Sequence, residues 1–284
     1  MSEITFSHQG RIEEIRARHG HALSAHAFPS LYLWREAMDL RLLLEEDLFA
    51  VRCAGYGENA WFFPCGGEGA KLAFLTRRMA EPDLVLLYLR GEDAAWLEDR
   101  FPGRFALRRR YDADEYLYDR AVHVDLEGGR FHHIRRRIHK IRRDLFPRTA
   151  PLGDETAEDV LRVTALWAEQ NPGVGRDDRA LVAEALDHRR ELALQGVVVY
   201  LSDHPAAFMM GFPLTEDTFD ANVGKCAAGV QGLTYYTLRE LFASLPPRFR
   251  WCNLEEDLGL PGLRDMKEHF LPERKHEIWE ARCL

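Results

Sequence analysis

Between residues 196 and 255 the chain reads GVVVYLS (196–202), AAFMMGFPL (206–214), TFDANVG (218–224), LTYYTLRELFAS (233–244) and RFRWCNLE (248–255). Apolar runs bounded by turn residues predict strands for the first three pieces and the last. The fourth repeats apolar residues at helical spacing. With one helix between them, TFDANVG and RFRWCNLE can lie side by side and open their carboxyl ends toward one cleft. That pattern predicts an α/β sheet and directs attention to the segments that follow those two strands.

Working outward, two helices are read upstream, TAEDVLRVTALWAEQ (156–170) and DDRALVAEALDHRRELALQ (177–195), with RTAPLGDE (148–155) as a loop before them. Downstream come the loop EDLGLPG, a short helix LRDMKEHF (263–270) and an extended KHEIWEARC (275–283). In the first half, apolar residues from 28 to 44 (Leu31, Trp34, Met38, Leu42) predict a helix, LFAVRCAG and AWFFPCG a hairpin turning at GYGEN, and DLVLLYLR a buried strand. A helix near EDAAWLEDRF and a strand stretch RFALRRRYDADEYLYD follow. FHHIRRRIHKIRRDLF (131–146) aligns Phe131, Ile134, Ile138, Ile141 and Leu145 on one helical face, and this helix is expected to connect the halves. Proline and glycine beyond it put the domain boundary near 147, giving domains 1–147 and 148–284.

A chain of 284 residues, 46% hydrophobic and 30% charged, has enough apolar surface for two cores and is not disordered by composition. Its longest apolar runs, 84–89 and 197–201, fall far short of the ~20 residues that span a bilayer, so no transmembrane segment is expected. The first twenty residues are charged throughout and do not resemble a signal peptide, and five cysteines form no CxxC pair. A cytoplasmic protein without structural disulfides is the expectation. The net charge of −8 disfavours indiscriminate nucleic-acid binding, although the stretch 130–148 has the opposite sign.

Familiar signatures are weak. GYGENA precedes a strand, so its glycines cannot present a helix start to a pyrophosphate, and GGEGAK lacks phosphate-loop spacing. His19, His21 and His26, like His132, His133 and His139, bring no cysteine or carboxylate at ligand spacing. They read as solvated or capping histidines, and no metal is expected. The basic helix is more informative: Arg135, Arg136, Lys140 and Arg143 could meet a polyanion such as tRNA, or could be hydrated and ion-paired on a linker. Gly229, Gln231, Gly232, Thr234 and Tyr235 lie between a strand and a helix start, where backbone N–H groups can cradle phosphate or the glycines can simply shape a turn. WCNLEEDLGLPGLRDMKEHF delivers Asn253, Glu255, Glu256 and Asp257 to a loop, and then Arg264 and Lys267, three apart on a short helix, beside those carboxylates.

Three stretches, YLYD (116–119), GGRFHHIRRRIHKI and NLEEDLGLPGLRDMKEHFLP (253–272), resemble the family of phosphatidylglycerol lysyltransferase C-terminal domains, and the element order is similar over nearly the whole chain. The resemblance implies an α/β (α+β) protein of two tandem acetyltransferase-like (GNAT-type) domains, each a mixed sheet flanked by helices. It implies acyl transfer, foremost aminoacyl transfer from a carrier such as aminoacyl-tRNA to an amine, a hydroxyl or a lipid head group. The membrane-spanning region of the lipid-modifying enzymes is not seen here, and the pyrophosphate signature of coenzyme A users is imperfect at 229–234. In that picture Glu255 or Asp257 assists deprotonation of the acceptor and Lys267 and Arg264 hold carrier phosphate or leaving-group oxygen. Gly229, Gln231, Gly232, Thr234, Tyr235 and Asn253 line the carrier site, and no cofactor is tightly bound. The rivals are an N-acyltransferase using acetyl-coenzyme A and a non-catalytic module binding RNA or an acidic partner through the basic helix.

Overall fold

The computed structural model describes residues 1–172 and 178–284. The chain begins with α1 (Gln9–Arg18), α2 (Phe28–Trp34), β1 (Leu40–Glu45), β2 (Leu48–Cys53), β3 (Ala60–Phe62), β4 (Cys65–Gly66), α3 (Glu68–Arg78), β5 (Val85–Arg90), α4 (Gly91–Arg100) and β6 (Phe105–Arg109). It continues through β7 (Glu115–Asp119), α5 (Arg120–Asp125), α6 (His132–Leu145), β8 (Arg148–Pro151), α7 (Ala157–Gln170), α8 (Arg179–Asp187), β9 (Gln195–Leu201), β10 (His204–Pro213) and β11 (Thr218–Cys226). It ends with α9 (Leu233–Ser244), β12 (Trp251–Asn253), α10 (Pro261–His269), β13 (Arg274–His276) and β14 (Ile278–Cys283).

Two compact units share these elements. Unit 1 comprises Met1–Tyr116, Glu256–Arg264 and Lys275–Leu284, and unit 2 comprises Leu117–Glu255 and Asp265–Arg274. The first sheet runs β1-β2-β3-β5-β14-β6, with β4 paired to β2. β1 to β3 form an antiparallel meander, and α3 carries the chain to β5, which pairs with β3 in parallel from Ala60↔Val85 to Phe62↔Leu87. Leu48, Trp61, Phe74, Leu86, Leu97 and Phe105 fill its core together with Ala281, a residue of the last strand.

The second sheet runs β13-β7-β12-β11-β10-β9-β8. It repeats the plan: β8 to β11 form an antiparallel meander, and α9 crosses to β12, which is parallel to β11. In both sheets a helix then leads to a further strand, β5-α4-β6 in one and β12-α10-β13 in the other, and an antiparallel strand is inserted between the two. The inserted strand is β14 in the first sheet and β7 in the second, so each comes from the other half of the sequence.

This exchange places the division between units at Tyr116 and Leu117, away from the expected boundary near 147. Once β7 pairs with β12, the chain that follows it packs in unit 2, and α6 lies against α9 there. The basic helix is therefore an integral helix of unit 2. Its isoleucines Ile134, Ile138 and Ile141 are buried, as their spacing predicts.

Three element assignments change. The helix expected over 28–44 stops at Trp34, because Asp39 turns the chain with φ +48° and LRLLLE then forms β1 against β2. RTAP within the expected loop 148–155 is the edge strand β8. The expected helix over 177–195 is α8 from Arg179 to Asp187, and the position of Asp177 lies outside the described residues.

Candidate functional site

In unit 2 the strands β11 and β12 pair only from Thr218↔Trp251 to Asp220↔Asn253, while β11 runs on to Cys226. At the point where that ladder stops, β11 is bulged: Met210 and Phe212 of β10 face Val223 and Asp220, so Ala221 and Asn222 oppose the single residue Gly211. A Cβ on Gly211 would run into the Asp220 carbonyl, which explains glycine there. Both amide atoms of Asn222 are buried without a hydrogen-bond partner among the described residues. An unsatisfied buried amide costs about 1–3 kcal/mol, so such an atom marks a place where a ligand can be recognised.

β11 then leads to the start of α9. Gly229 and Gln231 are exposed, and Gly232 caps the helix in the left-handed region with φ +88°. A Cβ at Gly232 would lie 2.6 Å from the Cβ of Arg137, so this glycine also lets α6 approach α9 closely. Thr234 is hydrogen-bonded to the Cys226 thiol, which burial pushes up to about 11 despite that contact. Tyr235 stacks on Phe270 with centroids 5.5 Å apart, and the Arg137 guanidinium lies 5.7 Å from its ring centroid. Burial raises the Tyr235 phenol, and Arg137 offsets this in part, so the hydroxyl stays protonated at neutral pH.

The loop after β12 is a scaffold in its own right. Asn253 is fully buried and its Oδ1 accepts the Glu255 N–H at 2.9 Å, holding Glu255 at φ +55°. Lys267, 4% exposed, donates from Nζ to the carbonyls of Leu254 at 2.5 Å and Glu255 at 3.1 Å. Its own carbonyl accepts the Tyr118 hydroxyl at 2.8 Å.

Asp257 and Arg264 belong to unit 1. The buried Asp257 carboxylate accepts Arg264 Nε at 2.8 Å and Nη2 at 3.0 Å, the Tyr116 hydroxyl at 2.6 Å and the Gly259 N–H at 2.8 Å. Burial disfavours its charge, yet these four donors win and hold the carboxyl below the usual range. Such a group is a poor proton acceptor. The expectation that Asp257 takes a proton while Arg264 and Lys267 hold a carrier therefore meets a geometry in which all three fix the loop.

On α6 the arginines differ by phase. Arg135 donates to the carbonyls of Leu126 and Gly128, and Arg143 pairs with its neighbour Asp144, whereas Arg136 and Lys140 lie exposed with His132, His133 and His139. Arg137, which the sequence reading passed over, is the cation that meets the α9 start. Only the helical phase relative to Gly232 distinguishes it from its neighbours. In unit 1, a cleft of about 640 Å³ lined by Arg52, Trp61, Arg78, Asp83 and Arg282 includes none of the residues the sequence selected. His21 and His26 are also not solvated: they are 4% and 1% exposed. Among the described residues no group of three or more His, Cys, Asp or Glu side chains is placed to hold a metal ion, and no helix is long and apolar enough to cross a membrane.

Residues 16–282 match the family described as phosphatidylglycerol lysyltransferase, C-terminal. The chain belongs to that family. No curated protein matches it by sequence. Among solved structures, a conserved protein of unknown function from Bacteroides thetaiotaomicron is similar over 100% of this chain and 99% of its own, at TM-score 0.89 and 23% identity. The C-terminal domain of a putative lysylphosphatidylglycerol synthetase from Agrobacterium fabrum is similar at TM-score 0.66 and 14% identity over 98% of this chain and 92% of that one. L-PGS from Bacillus licheniformis gives 0.65 and 14% over 99% and 92%. At these identities the likeness is one of fold. This member of the phosphatidylglycerol lysyltransferase C-terminal family thus has an acyltransferase-like fold, two GNAT-type mixed sheets flanked by helices.

Proposed function

We propose that unit 2 transfers an activated acyl group, foremost an aminoacyl group, from a phosphate-bearing carrier such as aminoacyl-tRNA to an amine or hydroxyl acceptor, a lipid head group among the candidates. The reading rests above all on the opening of β11 from β12 at the bulge carrying Asn222, just before the glycine-containing start of α9. An ester donor already carries the activation, so the protein has to orient the carbonyl, stabilise the oxyanion and manage one proton. The acceptor's nitrogen or oxygen attacks the carbonyl carbon, a new C–N or C–O bond forms, and the carrier's C–O bond breaks.

The proton lost by the acceptor ends on the leaving oxygen. The protonated Tyr235 hydroxyl is suited to supply it, with Glu255 kept as the carboxylate that takes the acceptor's proton. Arg137 and the N–H groups at the α9 start favour the anionic end of the carrier, and Arg136 and Lys140 extend that positive field along α6.

The test is label transfer. The chain is incubated with tRNA charged with a radiolabelled amino acid, with amine, hydroxyl and phospholipid acceptors, and in parallel with labelled acetyl-coenzyme A. Transfer from charged tRNA that falls at least tenfold in Asn222→Leu and in Arg137→Met, both folded, supports the reading. Transfer from acetyl-coenzyme A alone favours the N-acyltransferase. RNA binding without turnover from any donor leaves a binding module and refutes catalysis.

A further inference from the structure

His21 and His26 lie in unit 1 with ring centroids 4.0 Å apart. They sit among residues of α1, β4, α3, β5 and α4: Arg16, Cys65, Lys71, Arg90 and Asp93 all act on one or both rings or share their surroundings electrostatically. His26 donates from Nε2 to the Phe63 carbonyl at 2.8 Å, which leaves Nδ1 buried without a partner. Both ring nitrogens of His21 are buried without a partner among the described residues. Three unsatisfied nitrogens in one buried spot would cost several kcal/mol at about 1–3 kcal/mol each, so the cluster is built for something that hydrogen-bonds.

The charges around the pair say what. Arg16 is paired with Glu13, and Arg90 with Glu92 at 2.5 Å and with Asp93 at 2.7 Å. Lys71 instead stands over the rings of Trp96 at 4.6 Å and Phe63 at 5.7 Å. A ring does not neutralise an ammonium as a carboxylate does, so the surroundings keep a positive excess. An uncharged hydroxyl could satisfy the nitrogens but not that excess, and an ammonium would add to it. An oxyanion satisfies both, because its charge lets each imidazole take a proton and donate.

We propose that His21 and His26, with Lys71, form a second ligand site in unit 1 that takes a small oxyanion of the carboxylate or phosphate type. The site goes beyond the acyl-transfer reading and does not depend on it. Binding is coupled to protonation of the histidines, and affinity rises by up to about tenfold per pH unit for each proton taken up. The carboxylates facing the pair, Asp93 and the arginine-bound Glu13 and Glu92, are engaged with arginine and leave the imidazoles as the groups that change.

The experiment is calorimetric titration of the whole chain with acetate and with inorganic phosphate, at pH 7.5 and 5.5 and constant ionic strength, in two buffers of different ionisation heat. Saturable binding of either anion, at least tenfold tighter at pH 5.5 and with proton uptake, is the expected result. The anion that binds more tightly identifies the type. His21→Phe should remove part of the uptake, and the partly exposed Lys71→Met should weaken binding at least fivefold should the histidine variant not fold. No heat from either anion, or binding without proton uptake that is unchanged in Lys71→Met, overturns the proposal.

Discussion

Acidification should unfold this protein earlier than its carboxylates alone require, because His26 is buried in its neutral form. Burial is the largest cause, and the nearby Arg16 and Arg90 act in the same direction, while the Phe63 carbonyl and Asp93 act against it. The result is a value of about 4 in place of 6.5. Between those values the unfolded chain binds a proton at this residue that the folded chain refuses, so stability increases with pH across the window. The contribution is complete above 6.5 and is lost as pH falls toward 4. A shift of this size corresponds to about 3 kcal/mol at 1.36 kcal/mol per unit. His21 is shifted in the same direction and adds to the slope. Urea unfolding at intervals from pH 7.5 to 4.5 measures the slope, which should approach ~1.4 kcal/mol per pH unit per histidine below 6. The difference between wild type and His26→Phe isolates this residue, since other titrating groups cancel. A stability that stays flat from 6.5 to 5, or a slope that the variant leaves unchanged, would refute buried neutral histidines.

Lys267→Met should lower stability by about 1–3 kcal/mol, read as a lower urea midpoint, because the carbonyls of Leu254 and Glu255 lose a buried donor. Gly232→Ala should cost about 1–2 kcal/mol from the left-handed φ of +88° alone, and more as the new methyl pushes Arg137 away. A Tm unchanged within a degree would contradict that packing. Arg136→Glu with Lys140→Glu should leave the melting temperature in place, since both side chains are exposed, while abolishing tRNA binding at low salt. Retained binding in a gel-shift assay would remove α6 from the interface.

What the sequence could show depended on whether the information was local. The isoleucines of α6 and the bounds of α9 were legible because a 3.6-residue period is written in adjacent residues. Leu31, Trp34, Met38 and Leu42 imitate that period, and only the turn at Asp39 separates the helix from the strand. The extended character of YLYD and KHEIWEARC was visible, but not their partners. β7 pairs with a strand more than a hundred residues later, and β14 with strands as far upstream. The charged loop at 253–267 was found for its composition, yet composition cannot tell a ligand-binding cation from one that holds a carbonyl. Lys267 is of the second kind. His21 and His26 have no local signal of burial at all; α1, α3, α4 and two strands enclose them only after folding.

The two sheets put the same construction to different use. Each brings a pair of parallel strands together through one helix, β3 with β5 and β11 with β12, and the carboxyl ends of such a pair are where α/β folds place ligands. In unit 1 the pairing continues past the strand proper, since the Phe63 N–H donates to the Leu87 carbonyl at 2.7 Å, and the Phe63 carbonyl is then taken by His26. That end is closed by backbone pairing, and its polar groups are compact, buried imidazoles suited to a small ion. In unit 2 the bulge ends the ladder at Asp220↔Asn253 and leaves an amide unsatisfied beside an exposed glycine-containing helix start, which suits a longer carrier. The exchange of β7 and β14 gives neither end its character, because each inserted strand lies on the far side of β12 or β5 from the parallel partner. The difference comes instead from one extra residue in β11, so deleting Ala221 should restore regular pairing with β10 and abolish transfer in unit 2, while proton-coupled anion binding in unit 1 persists.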